Sequence, residues 1–103
     1  MTETQYSRKL VNKLTDMFPG SLVFRNNPLH RQGIPDILIL HRSRWAALEV
    51  KLSANSPVQP NQPYYVDMMD EMSFAAFIYP ENEEEVLGEL QLALTTGRPA
   101  RVS

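Results

Sequence analysis

The sequence predicts an α/β fold of order α-β-β-β-α-β-α, a small sheet with helices packed against it. Three observations point there. Residues 3–17 repeat apolar side chains at helical spacing, Ile37-Leu38-Ile39-Leu40 is a continuous β-rich apolar run, and a second amphipathic stretch follows Pro80.

Each element has a local reason. In the first helix Leu10, Leu14 and Met17 share a side, with Arg8, Lys9, Asn12 and Lys13 mostly elsewhere. Phe18-Pro19-Gly20 ends it, because proline disfavours a helical residue before it and glycine suits the cap. Ser21 to Arg25 is a short strand, and Asn26-Asn27-Pro28 to Gly33 a loop. The run 37–40 reads as a strand covered on both faces. His41-Arg42-Ser43-Arg44 turns the chain, and Trp45 to Leu52 returns as the second arm of a hairpin. Ser53 to Pro60 is a proline-interrupted loop. Asn61 is placed as the cap of a helix running to about Met72, with Tyr65, Met69 and Met72 along one side. Phe74 to Tyr79 is a strand of aromatic and small residues. Asn82 and Glu85 read as a relative of the capping box, Glu83 and Glu84 suit the first turn, and Val86, Leu87, Leu90 and Leu94 form the buried stripe. Residues 95–103 are a polar tail. No repeat or low-complexity tract interrupts what reads as a single domain over 1–103.

Composition narrows the class. A chain of 103 residues with 43% hydrophobic and 21% charged residues suits one globular domain rather than a disordered segment. The absence of cysteine excludes disulfides, thiolate metal sites and cysteine nucleophiles. No apolar run approaches the ~20 residues of a bilayer span, and Met1 to Gln5 is polar, without a signal-peptide core. An intracellular protein is therefore expected. The net charge of −2 hides an asymmetry. Residues 1–51 carry eight Lys/Arg against four acids, and residues 52–103 carry two against eight. A polyanion responds to local field, so the basic half keeps a nucleic-acid partner open despite the acidic total.

Three acidic or basic residues stand where such residues are uncommon. Asp36 opens the buried strand, and Glu49 and Lys51 lie among Ala46, Ala47, Leu48, Val50 and Leu52. Positions i and i+2 of a strand share a face, roughly 6.6 Å apart. A hairpin around 41–44 would bring Asp36 within reach of Glu49 or Lys51. Two carboxylates at a sheet end are a donor set for a hard divalent cation, which lowers the pKa of a bound water and offsets charge on a phosphate. A neighbouring lysine can orient that water or stabilise developing negative charge. The same residues also fit a solvated Glu–Lys pair with Asp36 as a turn residue. Glu3 lies within about 20° of the direction of Leu10 and Leu14 on the helix, and Gln62 starts the stripe of Tyr65, Met69 and Met72. Both are therefore expected to point inward, where a polar group needs partners. A frayed terminus for Glu3 and simple helix capping by Gln62 are the alternatives.

Gly33-Ile34-Pro35-Asp36, then Glu49-Val50-Lys51, then Gln62 resembles the PD-(D/E)XK nuclease superfamily. The element order is similar to the restriction-endonuclease-like core, a central mixed sheet flanked by helices. Within the superfamily the pattern resembles small phage and VRR-NUC-like nucleases, near the Holliday-junction resolvases, over roughly nine-tenths of the chain. The resemblance implies that Asp36 and Glu49 hold Mg²⁺, for which Mn²⁺ would substitute, with the Val50 carbonyl as a third ligand. It makes Lys51 the catalytic lysine, Glu3 the helix-one acid that assists metal binding, and Gln62 the glutamine beside the site.

The expected activity is hydrolysis of phosphodiester bonds in branched DNA by an activated water, as in junction resolution during recombination. A nuclease acting on flap, single-stranded or general duplex DNA, or a non-catalytic DNA-binding subunit of the same fold, are the alternatives. Arg25, Arg31, Arg42 and Arg44 fall in strand ends and loops and are assigned to phosphate contacts around the site. His30 and His41, the only histidines, lack metal-ligand spacing. One site on a minimal domain suggests a homodimer for cutting two strands. The resemblance implies the cytoplasm of a phage-infected bacterial host as the compartment.

Overall fold

A computed structural model describes residues 1–26 and 33–96 of the chain. Its elements are α1 (Glu3–Met17), β1 (Leu22–Arg25), β2 (Ile37–His41), β3 (Arg44–Val50), α2 (Asn61–Met72), β4 (Phe74–Ile78) and α3 (Glu83–Thr95). The result is an α/β fold with the expected element order. The strands form one mixed sheet of order β1-β2-β3-β4, antiparallel across the first three and parallel between β3 and β4. No helix among the described residues is long and apolar enough to cross a membrane.

The sheet is covered unequally. On one face Ile37, Ile39, Ala46, Leu48 and Val50 pack with Tyr6, Leu10 and Leu14 of α1 and Val86, Leu87, Leu90 and Leu94 of α3. This is the main core. Tyr6 donates its hydroxyl proton to Glu83 Oε1 (2.8 Å) and Lys13 Nζ reaches Glu83 Oε2 (2.7 Å), clamping α1 to α3. On the other face α2 lies over β3 and β4, where Ala47, Val66 and Ala75 form a smaller core. Beyond the reach of α2, Leu22, Phe24 and Leu40 are exposed.

Several expectations change in detail. The inward stripe of α2 runs through Gln62, Val66 and Met69, whereas Met72 is 68% exposed. Ala47 and Ala75 leave room for a branched side chain at 66, which turns the helix one residue from the expected Tyr65–Met72 line. Asn61 is the first helical residue rather than the cap; Pro60 precedes it and no side-chain cap forms. Asn82 does occupy the cap position of α3, but its amide serves the strand exit instead. Its Oδ1 accepts from the Tyr79 N–H (2.8 Å) and its Nδ2 donates to the Phe77 carbonyl (3.1 Å). A capping box does exist elsewhere, at α1. Thr2 Oγ1 accepts from the Gln5 N–H (3.1 Å) and Gln5 Oε1 accepts from the Thr2 N–H (2.8 Å). The Thr2-x-x-Gln5 signature was present in the sequence and fixes the helix start at Glu3.

Candidate active site

The hairpin brings Asp36 to Glu49. In the β2–β3 register Ile37 faces Leu48, so the next pair outward is Asp36 with Glu49. The short turn at Arg42-Ser43 sets that register. Asp36 then closes the junction of three chain segments. Its Oδ2 accepts from the Val50 N–H (3.1 Å), and its carbonyl accepts from the Asn26 N–H (2.7 Å). Asn26 also donates its side-chain amide to the Pro35 carbonyl, which fixes the residue before Asp36. This role of Asn26 is absent from the sequence expectations, since nothing in its spacing marks it.

Glu49 and Lys51 share the sheet face under the start of α2. Both are buried, at 2% and 8% exposure. Lys51 lies just past the end of β3, yet its N–H still bonds the Ile78 carbonyl (2.9 Å). The ladder stops there because β4 runs out into Tyr79-Pro80, and proline has no N–H to extend it. The two charges meet loosely, Lys51 Nζ to Glu49 Oε2 at 3.7 Å. Gln62 bridges them more tightly. Its Nε2 donates to Glu49 Oε2 (2.6 Å), and its Oε1 accepts from Lys51 Nζ (2.9 Å). The same Oε1 accepts from the Gln59 N–H (3.0 Å), so Gln62 both secures its helix start and joins the cluster.

The other Glu49 oxygen, Oε1, is buried without a hydrogen-bond partner. An unpaired carboxylate oxygen in a protein interior is costly. The proton affinity of the site reflects that cost. Burial, then the neighbouring Asp36 charge, raise the Glu49 carboxyl to about 7, against the opposing Lys51 charge and an interaction of the carboxylate with the Asp36 main-chain N–H. Burial also raises Asp36, opposed by the Val50 N–H, Lys51 and Arg25. Glu3 is raised by burial and by Asp36, with Lys51 acting the other way.

Glu3 therefore feels the cluster, but it is an exposed residue at the rim rather than an interior one. Arg25, at the end of β1 opposite Ile37, also stands near Asp36. The other arginines do not ring the site. Arg42 and Arg44 lie at the hairpin turn, at the opposite end of β2 and β3 and roughly 17 Å away at ~3.4 Å per residue. They line a separate cavity of about 320 Å³ with His41 and the end of α3. Any arginine beyond the turn must leave a site placed at the strand's other end. Arg31 and His30 lie outside the described residues, as does the tail 97–103.

The donor set suits a hard cation in part. Asp36 and Glu49 supply carboxylate oxygens, and Oε1 of Glu49 is a buried acceptor without a hydrogen-bond donor. Among the described residues no three His, Cys, Asp or Glu side chains converge on one metal position. An ion there would complete its shell from the main chain, water and substrate oxygens, the usual pattern for Mg²⁺. Comparison with known proteins gives no further guide: no family model matches the chain, and no curated protein or solved structure is found to be similar to it.

Proposed function

We propose that this chain is a Mg²⁺-dependent endonuclease of the PD-(D/E)XK type, built on a restriction-endonuclease-like core and hydrolysing phosphodiester bonds in branched DNA. One observation carries the reading. A buried carboxylate keeps an unpartnered oxygen beside a second carboxylate and a lysine, at a sheet end where three chain segments meet. A purely structural Glu–Lys pair does not call for a second carboxylate against a glutamate buried to 2% exposure, whose desolvation Lys51 and the Asp36 main chain offset only in part.

Asp36 and Glu49 would hold the ion, with the Val50 carbonyl as a further oxygen and Glu3 at the rim. When bound, the ion lowers the pKa of water and offsets charge on the phosphate. Lys51 presents its ammonium to the scissile group, where it stabilises the negative charge that grows on the phosphate oxygens. Gln62 holds Lys51 and Glu49 in mutual register, so neither has to reorganise during the reaction. The attacking water forms the new P–O bond and gives up a proton to solvent, the bond to the leaving sugar oxygen breaks, and that oxygen takes up a proton from solvent. No covalent enzyme intermediate forms. Arg25, beside Asp36, is suited to a phosphate contact near the cut. Because one domain carries one site, cutting both strands of a junction calls for a homodimer.

A labelled four-way junction, a flap and a plain duplex, each incubated with Mg²⁺ or with EDTA, test the proposal. Metal-dependent cleavage is expected, favouring the branched substrates and lost in Asp36→Ala and Lys51→Ala while circular dichroism shows the fold retained. Binding without cleavage in both Mg²⁺ and Mn²⁺ would leave only a non-catalytic DNA-binding role.

A further inference from the structure

Next to the carboxylate–lysine cluster lies an apolar hollow of about 400 Å³, lined by Lys51, Ser53, Ser56, Val58, Phe77 and Tyr79 among others. Its aromatic wall is placed by sheet register. Phe77 pairs with Glu49 across the parallel β3–β4 ladder. The next pair but one is Tyr79 with Lys51, and the bond from the Lys51 N–H to the Ile78 carbonyl carries the register that far. Phe77 and Tyr79 are i and i+2, so both face the side that holds Glu49 and Lys51, roughly 4.8 Å away in the neighbouring strand.

The opposite wall is tied together by its own serines. Ser53 donates its N–H to Ser56 Oγ (3.1 Å), and Asn55 donates its N–H to Ser53 Oγ (3.3 Å). Ser56 returns its N–H to the Ser53 carbonyl (3.2 Å). Val58, on the same loop, is 47% exposed and contributes apolar surface to the hollow.

We propose that this hollow receives one unpaired nucleobase adjoining the phosphodiester under attack, so that the substrate carries an unstacked nucleotide at the cut. The inference rests on the nuclease reading and specifies its substrate. Lys51 belongs to both the cluster and the hollow, so a phosphate at the lysine delivers its own nucleoside to the aromatic wall. Among the described residues Lys51 is the only charged one in the lining, and the rest is apolar or hydroxyl-bearing. The hollow therefore suits a planar ring with polar edges rather than a second phosphate. Its size is at the lower end of small-ligand sites, ~300–1,000 Å³, enough for a base and far too small for a duplex. A base that is paired and stacked must first be extracted, a cost that is least at mismatches, branch points and single strands. Stacking on the two rings then favours substrates already open there.

The test compares a fully paired duplex with the same sequence carrying one unpaired nucleotide at the cut. Both strands types are also made with 5-iodouracil at that position and irradiated with the protein, and the crosslinked peptide is mapped. The unpaired substrate is expected to be cut at least roughly tenfold faster, with crosslinks at Phe77 or Tyr79. Phe77→Ala should lower that ratio, but Phe77 also packs on the smaller core, so Val58→Trp provides the second variant. It fills the hollow from an exposed loop position, and should bring the ratio close to one and abolish the crosslink with the fold intact by circular dichroism. Equal rates on the two substrates, crosslinks elsewhere on the chain, or an unchanged ratio in Val58→Trp would overturn the proposal. If no DNA is cut at all, the nuclease reading falls, and the crosslink map alone decides whether the hollow takes a base.

Discussion

Gln62 Nε2 donates to Glu49 Oε2 at 2.6 Å, which leaves the second oxygen of that carboxylate as the free one. The amide thus selects which Glu49 oxygen remains available, and through Lys51 it holds the ammonium beside the same carboxylate. Gln62→Ala removes both tethers from groups that it does not replace chemically. We expect cleavage to fall by about 10–100-fold, in the range typical of residues that orient metal ligands. The Mg²⁺ concentration for half-maximal rate should rise, and the thermal midpoint should fall, because two buried charged groups each lose a hydrogen bond. A loss of rate with no change in the Mg²⁺ requirement would show that Gln62 acts on Lys51 alone.

The raised Glu49 carboxyl makes the metal-free protein weaker at neutral pH than in mild acid. Burial, with the Asp36 charge second, moves this group from 4.5 to about 7 on folding. The folded chain therefore binds the proton more tightly than the unfolded chain between those values, and stability falls as pH rises through them. At ~1.36 kcal/mol per pH unit the loss levels off near roughly 3 kcal/mol above pH 7. Asp36 and Glu3 are also raised and slope the same way. Urea unfolding in EDTA from pH 5 to 8 measures the slope. Glu49→Gln should flatten it and stabilise the protein above pH 7; rising stability across that interval would contradict the assignment.

A divalent cation should reverse that weakness without any DNA present. An ion bound only by the folded state stabilises by about 2.7 kcal/mol at a hundred times its Kd. Millimolar Mg²⁺ or Mn²⁺ at pH 7.5 is expected to raise the thermal midpoint of the wild type. The rise should vanish in Glu49→Gln and Asp36→Asn, although the first of these starts from a higher midpoint. Calorimetric or fluorescence melts with and without EDTA decide it.

Much of this arrangement was legible in the sequence, and the failures share a cause. The helix range 3–17 and the end of the second helix near Met72 follow from periodicity and turn residues, both of which are local. The meeting of Asp36 with Glu49 follows from one hairpin, because a short turn fixes every pair along it. Asn82 takes the expected cap position without capping, because a local side-chain bond competes with the cap and its amide goes to Tyr79 and Phe77 just upstream, while the cap position of α2 falls at Pro60, one residue before the expected cap at Asn61. Arg42 and Arg44 were assigned to the site by charge, a property without direction, although the hairpin itself sends them to the far end. The aromatic hollow could not be anticipated. It depends on β4 lying parallel beside β3, a pairing between segments separated by a whole helix, for which short-range patterning offers no signal.

The same dependence on a non-local contact makes Gly33 a sensitive position. Its φ is +90°, a conformation that side chains resist, and a Cβ there would stand 2.6 Å from the Asn61 side chain. Gly33 thus lets the segment leading to Asp36 pass close under the start of α2, one residue from Gln62. Gly33→Ala should cost roughly 1–2 kcal/mol from backbone strain alone. It should also lower cleavage beyond that loss, because the Asn61 side chain must swing away and its Cβ, at 3.1 Å, must give ground at the start of α2, next to Gln62. Adding Asn61→Ala removes the two contacts at 2.6 Å, keeps a tight Cβ approach of 3.1 Å and leaves the strain. The double variant is therefore expected to regain activity while stability recovers only in part. Urea unfolding and cleavage rates measured on the same samples separate the two effects, and parallel recovery of both would show that Gly33 matters for stability alone.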